Sequence, residues 1–196
     1  MPPITLWFLQ ASRSIRIAWL LEELNLDYDV KFYDRMKNMK APPEFKESCG
    51  NPLGKAPSLQ DGNLTIYENK IKVLQWIHAA EATFTLHALA ITYARWTIPE
   101  HGKANGDLET MEKGLSVNVQ KDLDWLETEL SLSPGPFLCG DKVSAADTMM
   151  QFSINFMMKT GLGTKGGNWP NIEKWLKACD ETESYQRAVR KTGHKI

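Results

Sequence analysis

SRSIRIAWLLEEL (residues 12–24) lies between ITLWFL (residues 4–9) and YDVKFY (residues 28–33), and this order decides how the first part of the chain folds. Ile4–Leu9 is dense in aromatic and β-branched residues, which suits a strand buried on both faces. Ser12 and Ser14 can each accept a backbone hydrogen bond at a helix start, and Ile15, Ala18, Trp19 and Glu22-Glu23 continue at helical spacing. Asn25 is placed to stop that helix. Strand, helix and strand are complete by Tyr33, which predicts a parallel pair with a right-handed crossover.

Outward from this core, Arg35–Ser48 is basic and proline-containing and reads as a loop with a short helix around Pro43–Ser48. Lys55–Leu59 and Leu64–Tyr67 read as short strands joined by Gln60-Asp61-Gly62-Asn63, whose Asp-Gly pair is a hairpin signal. From about Lys72 the pattern is helical throughout. Val73–Trp96 has no Gly or Pro and repeats apolar residues at three and four, which predicts one long helix ending before Pro99. Leu108–Leu132 predicts a second helix with Leu115, Val119, Leu123, Leu126 and Leu130 on its buried stripe, ended by Ser133-Pro134-Gly135-Pro136. Val143–Met158, Asn171–Cys179 and Glu183–Val189 complete the series. The expected organisation is therefore a mixed α/β domain over 1–70 and an all-α domain over 71–196. The first has the layout of a thioredoxin-like unit with hydroxyls where a redox version would carry Cys-x-x-Cys. That substitution points away from disulfide exchange and towards activating the thiol of another molecule.

Composition narrows the function classes. Lys+Arg number 23 against Asp+Glu 24 in 196 residues, with no block of one sign, so the concentrated positive surface that a nucleic acid needs is not expected. No apolar run reaches the roughly 18 residues of a membrane span, and MPPITLWFLQ lacks the basic region and cleavage site of a secretory signal. Cys49, Cys139 and Cys179 are scattered and odd in number, which fits a reducing compartment and makes the cytoplasm the expected location. His78, His87, His101 and His194 show no metal-ligand spacing, so no metal site is expected.

Several groups can carry chemistry. A hydroxyl at Ser12 or Ser14, at the first turn of a helix, can donate to a sulfur, and the positive helix end favours thiolate over thiol; a plain N-cap at Ser12 is the structural alternative. Pro57 opens a strand without an N–H to donate, which fits an edge, a strand start or a cis turn. In the last case the Ala56 backbone is free to pair with an extended peptide. Glu68 and Asn69 fall at the end of a strand and the opening of a helix, where Asn69 and exposed N–H groups can hold a carboxylate and Glu68 an ammonium; a solvated helix cap is the alternative. Ser144 and Asp147 have the spacing of a capping box, a structural feature. Tyr93 and Trp96 belong to an aromatic stripe on the long helix, which serves a core, a subunit contact or an apolar pocket.

Together SRSIRIAWLLEEL, NPLGKAPSL (51–59), DGNLTIYE (61–68) and FLCGDKVSAADTMMQF (137–152) resemble a cytosolic glutathione transferase, of the fungal and bacterial serine type whose first helix reads S-R-x-x-R-x-x-W-L-L-E-E-L. The resemblance runs over nearly the whole chain. It implies a thioredoxin-like domain followed by an α-helical domain, a homodimer, and a detoxifying transfer of glutathione to small hydrophobic electrophiles. Glutathione would be a co-substrate, with no further cofactor. Ser12 resembles the activating hydroxyl, with Ser14 its rival. Ala56 resembles the residue whose backbone pairs with the cysteinyl part of glutathione, and Pro57 the cis proline. Lys55 would approach the glycine carboxylate, and Glu68 with Asn69 would grip the γ-glutamyl end. Tyr93 and Trp96 are candidates for the electrophile pocket. Glutathione-dependent peroxide reduction is compatible with the same site.

One departure stands out. In the family pattern the acid matching Glu68 is followed by Ser-Gly-Ala-Ile and most of a helix, whereas here Asn69-Lys70-Ile71-Lys72 leads directly into VLQWIHAAEATF (73–84). Roughly twenty residues of the pattern are missing, and one helix from 69 to 98 would be about 45 Å long at 1.5 Å per residue. Two explanations stay open: a shortened form that lost this helix, or a mobile stretch of the natural chain that this sequence leaves out. The first predicts an exposed sheet face and an altered γ-glutamyl site, and it keeps open a rival reading as a non-catalytic regulatory or interaction module; the second leaves ordinary activity intact.

Overall fold

The computed structural model of the chain describes residues 4–49, 56, 58–60 and 71–195. These form two compact units, residues 1–69 with 180–196, and residues 70–179. The first is built on a three-stranded sheet in the order β2-β1-β3, with β1 at Ile4–Leu9, β2 at Tyr28–Tyr33 and β3 at Ser58–Gln60. β1 pairs in parallel with β2, from Ile4 opposite Tyr28 to Leu9 opposite Tyr33, and antiparallel with β3, where Leu6 faces Leu59. Both faces of β1 are covered, because Leu6 and Phe8 on one side and Trp7 and Leu9 on the other are all buried. The expected strand Leu64–Tyr67 and the turn before it lie outside the described residues.

Helix α1 (Ser14–Glu23) returns the chain from β1 to β2 and buries Ile15, Ala18, Trp19 and Leu21. It ends where expected, and for a specific reason. Asn25 adopts φ 51°, its N–H bonds the Glu22 carbonyl at 3.1 Å, and the Leu26 N–H bonds that of Leu21 at 3.0 Å. This pair of bonds satisfies carbonyls that a helix end leaves orphaned, with Asn tolerating the left-handed region. Helix α2 (Pro43–Ser48) places Phe45 into a cluster with Trp7, Leu9 and Cys49.

The second unit contains helices α3 (Ile71–Ala79), α4 (Leu86–Thr97), α5 (Glu100–Ala104), α6 (Asp107–Ser131), α7 (Ala145–Thr160) and α8 (Pro170–Asp180). α3 and α4 are the single long helix expected from sequence, interrupted by a π turn at Ala80–Thr85. The Thr85 hydroxyl donates to the Ala80 carbonyl at 2.5 Å and lies 2.7 Å from the Ser153 hydroxyl, which itself reaches Ala80 O at 3.3 Å. Side-chain hydroxyls thus occupy a carbonyl of the ladder, and the wider turn re-phases the helix. Trp76 before it, Ala80 and Phe84 within it, and Ala88 and Ile91 after it all remain buried. Trp125 of α6 stacks on Trp76 with ring centroids 4.6 Å apart and on Phe84 at 6.0 Å.

The domain expected over 71–196 differs at its end. Helix α9 (Glu183–Thr192) belongs to the first unit, where Arg187 bonds the Glu22 carboxylate at 2.9 Å and Ser184 accepts the Trp19 indole N–H at 3.1 Å. The α1 residues Glu22 and Trp19 therefore face a partner far along the chain, which helical periodicity alone does not reveal. The sheet face expected to be exposed in a shortened form is closed at β1, whereas Leu59 is 36% exposed opposite the fully buried Leu6.

Within the second unit Asp147 is fully buried and forms the expected capping box with Ser144. Its carboxylate accepts from the Leu138 N–H, the Trp175 indole and the Ser144 N–H and hydroxyl, each at 2.9 Å. Burial pushes its pKa above the ordinary carboxylate range and these donors oppose that push. Asp147→Ala would strand them inside the unit and should cost about 3–5 kcal/mol, read as a lower denaturant midpoint at unchanged slope, with Asp147→Asn losing less. Glu112 meets Arg95 through two bonds of 2.8 and 2.9 Å, and the guanidinium holds its carboxyl below the usual range. A depressed folded pKa contributes stability above the unfolded value of about 4.3 and loses it as pH falls through the folded value. The difference in melting temperature between the native chain and Glu112→Gln should therefore be open at pH 7 and close once acid protonates Glu112 in both states.

Candidate functional site

The turn from β1 into α1 carries the two candidate hydroxyls. Ser12 Oγ donates to Ser14 Oγ at 2.9 Å and accepts the Ser14 N–H at 3.1 Å. α1 begins at Ser14 with Arg13 as its N-cap, so Ser12 makes a cap-like bond one residue ahead of the N-cap position rather than the bond expected of an N-cap itself. Ser14 is 0% exposed and Ser12 is 6% exposed. The pair thus has an outer and an inner member. A hydroxyl both donates and accepts, so Ser12 can turn its proton outward to an acceptor while Ser14 donates to it from behind.

This turn is held by groups that sequence reasoning did not single out. Ala11 adopts φ 48°. Its N–H donates to the Gln10 side-chain oxygen at 2.9 Å, an oxygen that also accepts the Lys195 N–H at 3.2 Å, while the Gln10 amide nitrogen donates to Gly193 O at 3.0 Å. Arg35 grips the other side. Its Nε donates to Gln10 O at 2.8 Å, one terminal nitrogen to Ala11 O at 3.1 Å and the other to Met39 O at 2.7 Å. Burial pulls the Arg35 pKa below its ordinary value, and the group stays cationic. One signal could have found it: residue 35 follows a strand paired in parallel with β1, and the Gln10 N–H extends that ladder to Tyr33 O at 2.8 Å.

Ala56 packs against the cluster of Trp7, Leu9, Phe45 and Cys49, on the sheet that bears the serine turn. Lys55, Pro57, Glu68 and Asn69, the remaining residues expected to bind glutathione, lie outside the described residues. Tyr93 and Trp96 sit together on α4 in the second unit, 52% and 57% exposed, with their rings edge to face at 5.9 Å. Among the described residues no group of three or more His, Cys, Asp or Glu side chains could hold a metal ion, and no helix is long and apolar enough to cross a membrane.

Comparison with known proteins accords with this arrangement. The family model for the N-terminal domain of glutathione S-transferase matches residues 2–73, and that for the C-terminal domain matches residues 85–183. Glutathione S-transferase 3 of Schizosaccharomyces pombe is 26% identical over 223 residues, covering 96% of this chain and 87% of the relative. Glutathione S-transferase 1 of Saccharomyces cerevisiae is 26% identical over 228 residues, covering 97% and 96%. A solved glutathione S-transferase from Actinobacillus pleuropneumoniae superimposes with a TM-score of 0.71 at 26% identity, over 97% of this chain and 93% of that one. With both domains matched in order, on a thioredoxin-like unit and a helical one, the chain belongs to the glutathione S-transferase family.

Proposed function

We propose that the protein is a glutathione transferase of the serine type, in which the Ser12 hydroxyl stabilises the thiolate of bound glutathione for attack on small apolar electrophiles. The observation that carries this reading is the Ser12–Ser14 pair at the start of α1, with the more exposed member in front. The Ser12 hydroxyl donates to Ser14. When a thiolate docks, Ser12 donates to sulfur and Ser14 reverses to donate to Ser12, so the charge meets a hydroxyl already backed by a second one. The helix start adds a favourable field. The thiol proton leaves to solvent, the sulfur lone pair forms the S–C bond, and the leaving group departs with its electron pair.

Glutathione would run along the edge at Ala56 and Pro57, with Lys55, Glu68 and Asn69 holding its charged ends. Tyr93 and Trp96 offer exposed aromatic surface suited to an apolar second substrate. The working unit in this reading is a homodimer in the cytoplasm.

We also read the short junction after Asn69 as a genuine shortening. The alignments to the two yeast proteins span 223 and 228 residues against a chain of 196, so the relatives carry residues inside the aligned span that this chain lacks. An intact mass of 22.2 kDa for the protein purified from its source supports this, and a heavier chain overturns it.

Conjugation of a generic aryl halide tests the chemistry. Ser12→Ala should lower kcat by about 10²-fold, the scale of one lost oxyanion-type donor, while glutathione affinity changes little. Ser14→Ala should cost less, about three- to tenfold, because it acts through Ser12. Turnover unchanged in Ser12→Ala but abolished in Ser14→Ala would move the role inward. Unchanged turnover in both would end the hydroxyl mechanism, and failure to retain glutathione at millimolar levels would favour a non-catalytic module.

A further inference from the structure

We infer that Arg35 is a positioning residue for the Ser12 hydroxyl, holding the left-handed turn ahead of α1 by its fork of N–H donors rather than by its charge. The inference rests on the role given to Ser12 above. Its basis is the accounting of donors and acceptors around that turn.

Arg35 directs Nε and both terminal nitrogens to three backbone carbonyls, those of Gln10, Ala11 and Met39. Two of these belong to residues other than glycine with positive φ, Ala11 at 48° and Met39 at 62°. Such conformations cost on the order of 1–3 kcal/mol and persist only where surroundings over-determine them. Among the described residues Arg35 donates to backbone carbonyls and to no carboxylate. A salt bridge is therefore not what the described contacts use it for. A planar guanidinium can serve three carbonyls at fixed angles, whereas an ammonium offers a compact point charge. On the opposite side the Gln10 side chain takes the Ala11 N–H and joins the turn to the segment Gly193–Lys195. Ala11 is thus held through its N–H by one side chain and through its carbonyl by another, and Ser12 follows directly. A turn that relaxes towards negative φ would swing Ser12 Oγ relative to the sulfur it is to meet.

The test measures the ionisation of glutathione bound to the enzyme, by ultraviolet thiolate absorbance against pH, beside glutathione affinity and kcat. Arg35→Lys keeps the charge and loses the fork. It should raise the bound thiol pKa by about one unit and lower kcat about tenfold, with affinity within about threefold. In a Ser12→Ala background the same change should add little, since it acts through Ser12. Gln10→Ala reaches the turn from the Ala11 N–H side and should shift the thiol pKa in the same direction, which keeps the test decisive should Arg35→Lys fold poorly.

A native-like thiol pKa and kcat in both Arg35→Lys and Gln10→Ala, with Ser12→Ala strongly impaired, would overturn the inference while leaving the role of Ser12 intact. Weakened glutathione binding at unchanged thiol pKa would also overturn it, marking Arg35 as a ligand contact. Silence of Ser12→Ala would remove the reading on which the inference rests.

Discussion

The turn between β1 and α1 is the constraint on which the site depends. A strand buried on both faces must leave the sheet and enter a helix within a few residues, and Ala11 makes that change at a φ of 48°. An L-residue there is uncommon because its Cβ crowds the backbone. The surrounding bonds explain why it holds. Gln10 and Arg35 satisfy the N–H and carbonyl of Ala11 from separate sides, and the Ser14 N–H closes onto Ser12 Oγ. The conformation that delivers the serine is thus the product of contacts from β2's outgoing loop and from the segment after α9, both within the first unit.

The second unit is organised by different physics. Its centre is aromatic stacking between Trp76, Phe84 and Trp125, and the π turn at Ala80–Thr85 keeps both halves of a long helix facing that centre. Buried polar groups are placed where chain ends would otherwise leave orphans. Asp147 serves the start of α7 and the loop before it, while the Glu127 carboxylate accepts the N–H groups of Asn171 and Ile172 at the start of α8. Such satisfied networks fix one arrangement of helices. Exposed side chains such as Tyr93 and Trp96 can then vary without disturbing it.

Much of this was legible in sequence. β1 and β2 are bounded as the β-branched and aromatic runs indicated, and α1 stops at Asn25 because that residue accepts a left-handed φ. Val119, Leu123, Leu126 and Leu130 are buried as the helical repeat required, while Leu115, expected on the same stripe, is only half-buried. What escaped was non-local. The π turn is met by the hydroxyl of Ser153, far along the chain from Thr85, and α9 joins the first unit through Arg187 and Ser184 meeting Glu22 and Trp19. Periodicity reports which face of an element is apolar but not which distant element covers it. At the site the two serines were evident as a motif, but the order of exposure that separates them needed three dimensions. Arg35 was hidden in a basic loop whose charge suggested nothing about backbone carbonyls.

The most direct measurement is a crystal structure of the chain with glutathione bound. Ser12 Oγ should lie within about 3.5 Å of the sulfur, the reach of a hydrogen bond to that larger atom, with Ser14 Oγ still behind it and Arg35 on the carbonyls of Gln10 and Ala11. A tripeptide whose sulfur sits beyond contact with Ser12, while Ser12 still donates inward to Ser14, would contradict the account.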